Sequence, residues 1–213
     1  MTNLTSVRVV VLGSKNVGKT AVIVRFLTQR YIGEYRSNTD WLYKHNVTCD
    51  ETASEVEILD ISRWSDDCLP IDEVQSADAC VVIYSICDRE SFNRAQDCLN
   101  IIHRLKAPQY IPVVLLGNKR DLELGRQVSF EDGNELSTQY GCDFSEVSAA
   151  GNYAGVNEAF YSLIRQVRTS RHQRSLPRQR KRSIMTVSKV LGAMFGKNSH
   201  KDTRKNKQTP CSL

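Results

Sequence analysis

The stretch Gly13-Ser14-Lys15-Asn16-Val17-Gly18-Lys19-Thr20 constrains this chain more than any other. Residues 7–12 before it (VRVVVL) read as a strand buried on both faces, the pattern a parallel sheet requires. In residues 18–29 after it, Val22, Ile23, Phe26 and Leu27 recur at helical spacing. Strand, loop and helix in that order make a cradle for a phosphate group. Glycines let backbone N–H groups turn inward around an anion. The helix N-terminus adds partial positive charge. Lys19 stands where it can reach β- and γ-phosphates, and the Thr20 hydroxyl where it can coordinate Mg2+. A glycine turn beside a chance lysine would share these letters but not this setting.

The rest of the pattern alternates strand and helix. Residues 45–49 and 56–60 suggest a hairpin, and 79–86, 111–116 and 143–147 suggest further strands. Helices are expected over 88–105, with Asp88 as N-cap, over 129–140 and over 156–169. The pitch is that of βαβ crossovers, so the expected fold is α/β: a doubly wound, mostly parallel six-stranded sheet with helices on both faces. Residues 1–170 would form this domain and 171–213 a basic tail.

Charge separates the two. Residues 168–213 hold 13 of the 29 Lys and Arg but one of the 24 Asp and Glu, leaving 16 basic against 23 acidic residues in the body. The net charge of +5 therefore conceals an acidic domain and a strongly basic tail. No run of about 18 apolar residues occurs, which excludes a spanning helix. Seven cysteines without a CxxC fit reduced thiols in a cytoplasmic protein better than disulfides or a zinc site.

Asn118-Lys119-Arg120-Asp121 follows the strand that ends near Gly117, at the sheet edge where open α/β folds place ligand groups. A carboxylate at Asp121 accepts two N–H donors from guanine and is mismatched to adenine. Each charge-assisted bond is worth about 1.5–3 kcal/mol. Asn118 and Lys119 would brace the loop and cover the ring, and Ser148-Ala149-Ala150 would present backbone N–H groups to the base.

These elements resemble those of the Ras superfamily of small GTPases over residues 7–170. RFLTQRYIGEY at 25–35 and VVIYSICDRESF at 81–92 resemble Ras proper. The stretch RQVRTSRHQ followed by RQRKRSIMTVSKVLGAMFGK resembles the basic tail of the Ras-like, estrogen-regulated growth inhibitor group, with the Ras-like family 11 branch as the other candidate. The resemblance implies a monomeric signalling protein that binds GTP or GDP with Mg2+ and acts through protein effectors and regulators. It implies that Tyr31 packs on the guanine, that Tyr35 closes over the phosphates and that Asp60 holds Mg2+ through water.

The chain departs from the family at several points. The motif Asp-x-x-Gly-Gln is here Asp60-Ile61-Ser62-Arg63-Trp64. Its glycine senses the γ-phosphate through a backbone N–H and its glutamine orients the attacking water. Trp64 has a donor and no acceptor, so it cannot take that role, and no residue is assigned as catalytic. The Mg2+-binding threonine falls on Asn38, with Thr39 next to it. Lys15 replaces a glycine whose absence obstructs an activating protein's arginine. The expectation is weak or impaired GTP hydrolysis. The alternative is a nucleotide-locked or nucleotide-free pseudoGTPase serving as a protein-binding scaffold.

Ile184, Val187, Leu191, Met194 and Phe195 would share one face of a helix over 183–195, among Lys and Arg. Such a helix can lie on an anionic membrane surface, and the basic run also has the character of a nuclear-import signal. Only Ser212 and Leu213 follow Cys211, so no prenyl group is expected. The tail's charge implies no specific nucleic acid.

Overall fold

The computed structural model describes residues 5–33, 40–61 and 70–175. Strands β1 (Thr5–Leu12), β2 (Trp41–Cys49), β3 (Thr52–Asp60), β4 (Ala79–Ser85), β5 (Val113–Asn118) and β6 (Asp143–Glu146) form a single sheet. Its order is β2-β3-β1-β4-β5-β6. Only the β2–β3 pairing is antiparallel. Helices α1 (Lys19–Thr28), α2 (Ile71–Ser76), α3 (Arg89–Lys106), α4 (Phe130–Tyr140) and α5 (Ala154–Ser175) cover it.

Side-chain alternation explains why the strands read as unbroken apolar runs. Val7, Val9 and Val11 of β1, with Val81 and Ile83 of β4, face α1 and α5. Val10 and Leu12, with Val82 and Tyr84, face α2, α3 and α4. On the first face the rings of Phe26 and Phe160 stack at 4.3 Å, joining α1 to α5. The expected N-cap is present: the Asp88 side chain accepts from the Ser91 N–H at 3.2 Å. α4 carries a full capping box between Ser129 and Asp132.

The structure extends the sequence reading in three places. The hairpin strands begin earlier than 45 and 56, at Trp41 and Thr52, because the ladder runs from the Trp41–Asp60 pair to the Cys49–Thr52 pair. Its turn, Asp50-Glu51, has positive φ at both residues, the geometry a two-residue hairpin needs, but contains no glycine to advertise it. Helix α2 was not anticipated; its six residues are too few to show a period. α5 runs six residues past 169, carrying Arg171 and Arg174 of the expected tail. The expected amphipathic helix at 183–195 lies outside the described residues.

The five described cysteines are unpaired. Burial pushes the Cys80 thiol up to about 12 and raises that of Cys98 as well. Both should stay unalkylated by iodoacetamide in the native protein at pH 8 and react fully in denaturant, as mass spectrometry of the peptides would show. Labelling of either under native conditions would contradict this packing.

Candidate nucleotide site

The site is assembled at one sheet edge, where β1, β3, β4, β5 and β6 end. β1 delivers the chain into the loop at Gly13, which has φ +145°. A Cβ there would lie 2.2 Å from the Ile83 carbonyl oxygen of β4. Asn16 holds φ 64°, a left-handed value that asparagine tolerates better than most residues. Gly18, with φ +95°, leaves 2.5 Å between the place of a Cβ and Asn118 Nδ2. Side chains at 13 or 18 would thus push the loop off β4 and β5.

α1 starts directly after Gly18, which offers no side-chain cap. The first-turn amides of a helix have no partner within it. Carboxylates occupy the first turns of α2, α3 and α4, whereas those of α1 and α5 hold none. The positive end of α1 therefore remains available to an anion.

Lys19 is 8% exposed, and its Nζ donates to the carbonyls of Gly13 (2.9 Å) and Ser14 (3.0 Å). Burial lowers its pKa, opposed chiefly by the nearby Asp60. The Thr20 hydroxyl donates to Asp60 Oδ2 at 2.5 Å. Burial raises the Asp60 pKa, while the Thr20 bond and Lys19 pull it down. Asp60 Oδ1 is buried and has no hydrogen-bond partner among the described residues. A hydroxyl beside an unpartnered carboxylate oxygen is a donor set that suits a hard divalent cation. The residues present thus fit the expected Mg2+.

The second loop is tied to the first through Asn118. Its Nδ2 donates to the Val17 carbonyl at 2.8 Å, and its Oδ1 accepts from the Ala149 N–H at 3.1 Å. Of the three amides expected to face a base, that of Ala149 is therefore engaged within the protein. Lys119 adopts φ 68°, turning the chain into the 3-10 turn Arg120–Gly125. The exposed Asp121 carboxylate accepts a short hydrogen bond from the Ser148 hydroxyl, which itself accepts from the Gly151 N–H at 2.8 Å. Ser14, Lys15, Val17 and Ala150 lie on the same two loops. Tyr31 lies two residues past the α1 C-cap and is 46% exposed. Asn38, Thr39, Tyr35, Arg63 and Trp64 lie outside the described residues.

One contributor was missed. Arg25 of α1 donates to the carbonyls of Gln29, at 3.0 Å, and Gly151, linking the phosphate-loop helix to the end of the base loop. An arginine in a helix's last turn ordinarily answers the helix dipole, so its sequence position alone gave no sign of this reach.

A parallel sheet running through a glycine–lysine loop into an uncapped helix, with a buried asparagine joining it to a second loop, defines a P-loop nucleotide-binding domain. Residues 8–169 match the model of the Ras family, and the chain belongs to that family. It is a Ras-like small GTP-binding protein. It is 35% identical over 199 residues to "Ras-related and estrogen-regulated growth inhibitor" of Homo sapiens, covering 93% of this chain and all of that protein. It is 38% identical over 171 residues to "Ras-like protein family member 11A-like" of Danio rerio (76% and 68% covered). Identity to "GTP-binding protein Rit1" of Mus musculus is 31% over 175 residues (82% and 80% covered).

A metal must compete with a proton for Asp60, whose pKa burial holds above the ordinary carboxylate range. Any gain in nucleotide affinity from Mg2+ should therefore fade on acidification sooner than for an exposed carboxylate. Asp60→Asn should remove most of that gain, measured as the ratio of nucleotide dissociation rates in EDTA and in Mg2+. An unchanged ratio would show that the metal is held elsewhere.

Proposed function

We propose that this chain holds a guanine nucleotide with Mg2+ across the two loops and turns GTP over slowly. The observation that carries the reading is the Asn118 clasp, which fixes the phosphate cradle and the base loop relative to each other. In this reading the backbone of 13–18 and the Lys19 ammonium hold the phosphates. Thr20 and Asp60, with Asn38 or Thr39, hold the metal. Asp121 accepts from guanine N–H groups, with Ser148 orienting its carboxylate. Lys119 covers the ring, Ala149 and Ala150 border the base, and Tyr31 packs on its other side. Bound Mg2+ supplies charge neutralisation between the phosphates.

Slow turnover rests on three positions. Trp64 cannot accept a proton from water. Arg63 brings a Cβ where the loop backbone must approach the γ-phosphate. Lys15 is exposed on the phosphate loop, where a helper protein would enter. The same substitutions favour a second reading, a nucleotide-locked or nucleotide-free scaffold. In either case the edge strand β2, with Trp41 and Leu42 half exposed, offers a surface to a protein partner.

Single-turnover assays separate these outcomes. Labelled GTP and GDP should bind in preference to ATP and ADP, and Asp121→Ala should lose most of that preference. Hydrolysis should run well below that of an ordinary Ras protein measured alongside. Absence of any purine preference would overturn the binding half, and ordinary turnover the kinetic half.

We assign residues 171–213, basic as they are, to a peripheral anionic surface. Among the described residues no helix is long and apolar enough to cross a membrane. Cosedimentation with phosphatidylserine vesicles should occur at 50 mM salt and weaken several-fold at 300 mM. Indifference to salt, or no binding, would remove this role.

A further inference from the structure

At the opposite end of the sheet from the phosphate loop, two hollows adjoin. One, of about 200 Å³, is lined by Leu99, Ile102, Ile111, Val113, Tyr140 and Cys142, between the ends of α3 and α4 and the starts of β5 and β6. Its walls are mostly apolar. An apolar cavity of about 150 Å³ already admits a benzene ring, so this one has room for a ring or a short alkyl chain. The other, of about 220 Å³, is polar and lies between the α2 end, the α3 end and the last turns of α5. Lys106, Gln109 and Ile111 line both.

The polar hollow carries three cations and one acid. Asp78 is already held, by the Arg171 guanidinium at 2.7 Å and by the Arg8 N–H at 2.9 Å. Lys106 Nζ donates to the carbonyls of Gln75 (2.7 Å) and Ala77 (2.9 Å), which leaves one of its three N–H bonds. Arg174 donates through Nη2 to the Tyr110 carbonyl at 2.6 Å, and among the described residues the other edge of its fork has no partner. The Tyr110 hydroxyl makes a long 3.5 Å contact with the Gly141 carbonyl across the apolar hollow. Asp78 balances Arg171, so Lys106 and Arg174 leave the rim with about two uncompensated positive charges.

We propose that these two hollows form one site for a small amphipathic anion, its apolar body between Ile102, Val113 and Tyr140 and its carboxylate on Lys106 and Arg174. Charge complementarity selects this occupant over the chain's own C-terminal segment. Residues 176–213 hold ten Lys and Arg and one acid, a net charge of the same sign as the rim. A neutral apolar molecule would leave the rim unused. The site lies apart from the nucleotide loops, and its occupancy does not depend on how GTP is handled there.

The probe is sodium octanoate, added to the full-length protein, with octan-1-ol, inorganic phosphate and phosphatidylserine vesicles as separate arms. Calorimetry reads binding, and mass spectrometry at pH 9 reads the alkylation rate of Cys142, with the other cysteines as internal references. Octanoate should bind at one equivalent and slow Cys142 alkylation at least five-fold. Octan-1-ol should bind at least five-fold more weakly, and phosphate alone should not protect Cys142. Arg174→Gln, at an exposed position, should weaken octanoate at least five-fold and leave octan-1-ol unchanged, while Arg174→Lys should retain most of the affinity. The proposal is overturned if octanoate fails to protect Cys142, or if alcohol and acid bind alike. It is equally overturned if vesicles protect Cys142 where octanoate does not, or if Arg174→Gln binds octanoate as the native protein does.

Discussion

The buried side chain of Asn118 is the point on which the site's geometry turns. Its amide donates to a loop 101 residues earlier in the chain and accepts from another 31 residues later. A buried amide that lost either partner would cost about 1–3 kcal/mol, so both loops are held in one relative position. Gly18 makes this possible by presenting no Cβ to that amide. The parallel pairing of β1, β4 and β5 brings the strand ends to a common edge, which is where the clasp must form.

Around the clasp, burial works against charge on both Lys19 and Asp60, and each partly sustains the other. A low-dielectric setting that penalises these ions also strengthens their attraction to phosphate and to a hard cation. The loop carbonyls that receive Lys19 Nζ keep the ammonium aligned, so little reorganisation accompanies ligand entry. Preorganisation of this kind serves retention of a nucleotide. It does not by itself orient a water molecule for attack, which is the separate task that residue 64 would have to perform.

Most of the fold was legible because its strands are buried on both faces, and continuous valine and isoleucine runs leave few other readings. The phosphate loop was legible because a glycine requirement, a lysine and a hydroxyl recur at fixed spacing. What escaped had no local signature. The Asp50-Glu51 turn adopts positive φ without glycine, and α2 is too short for a helical period. Arg25 reaches across the fold to Gly151, a contact set by tertiary placement alone. The internal use of the Ala149 amide likewise depends on where Asn118 sits and could not be read from either segment.

The change in composition at residue 168 invites the view that everything beyond it is surplus charge. Yet Arg168 donates to the carbonyls of Cys49 (2.7 Å) and Thr52 (2.6 Å) and to the Ser54 hydroxyl (2.8 Å). It buckles the β2–β3 hairpin to the last helix at the outer margin of the sheet. The guanidinium that opens the basic stretch is thus an architectural fastening, and a fragment trimmed where the charge begins would leave that margin unlatched.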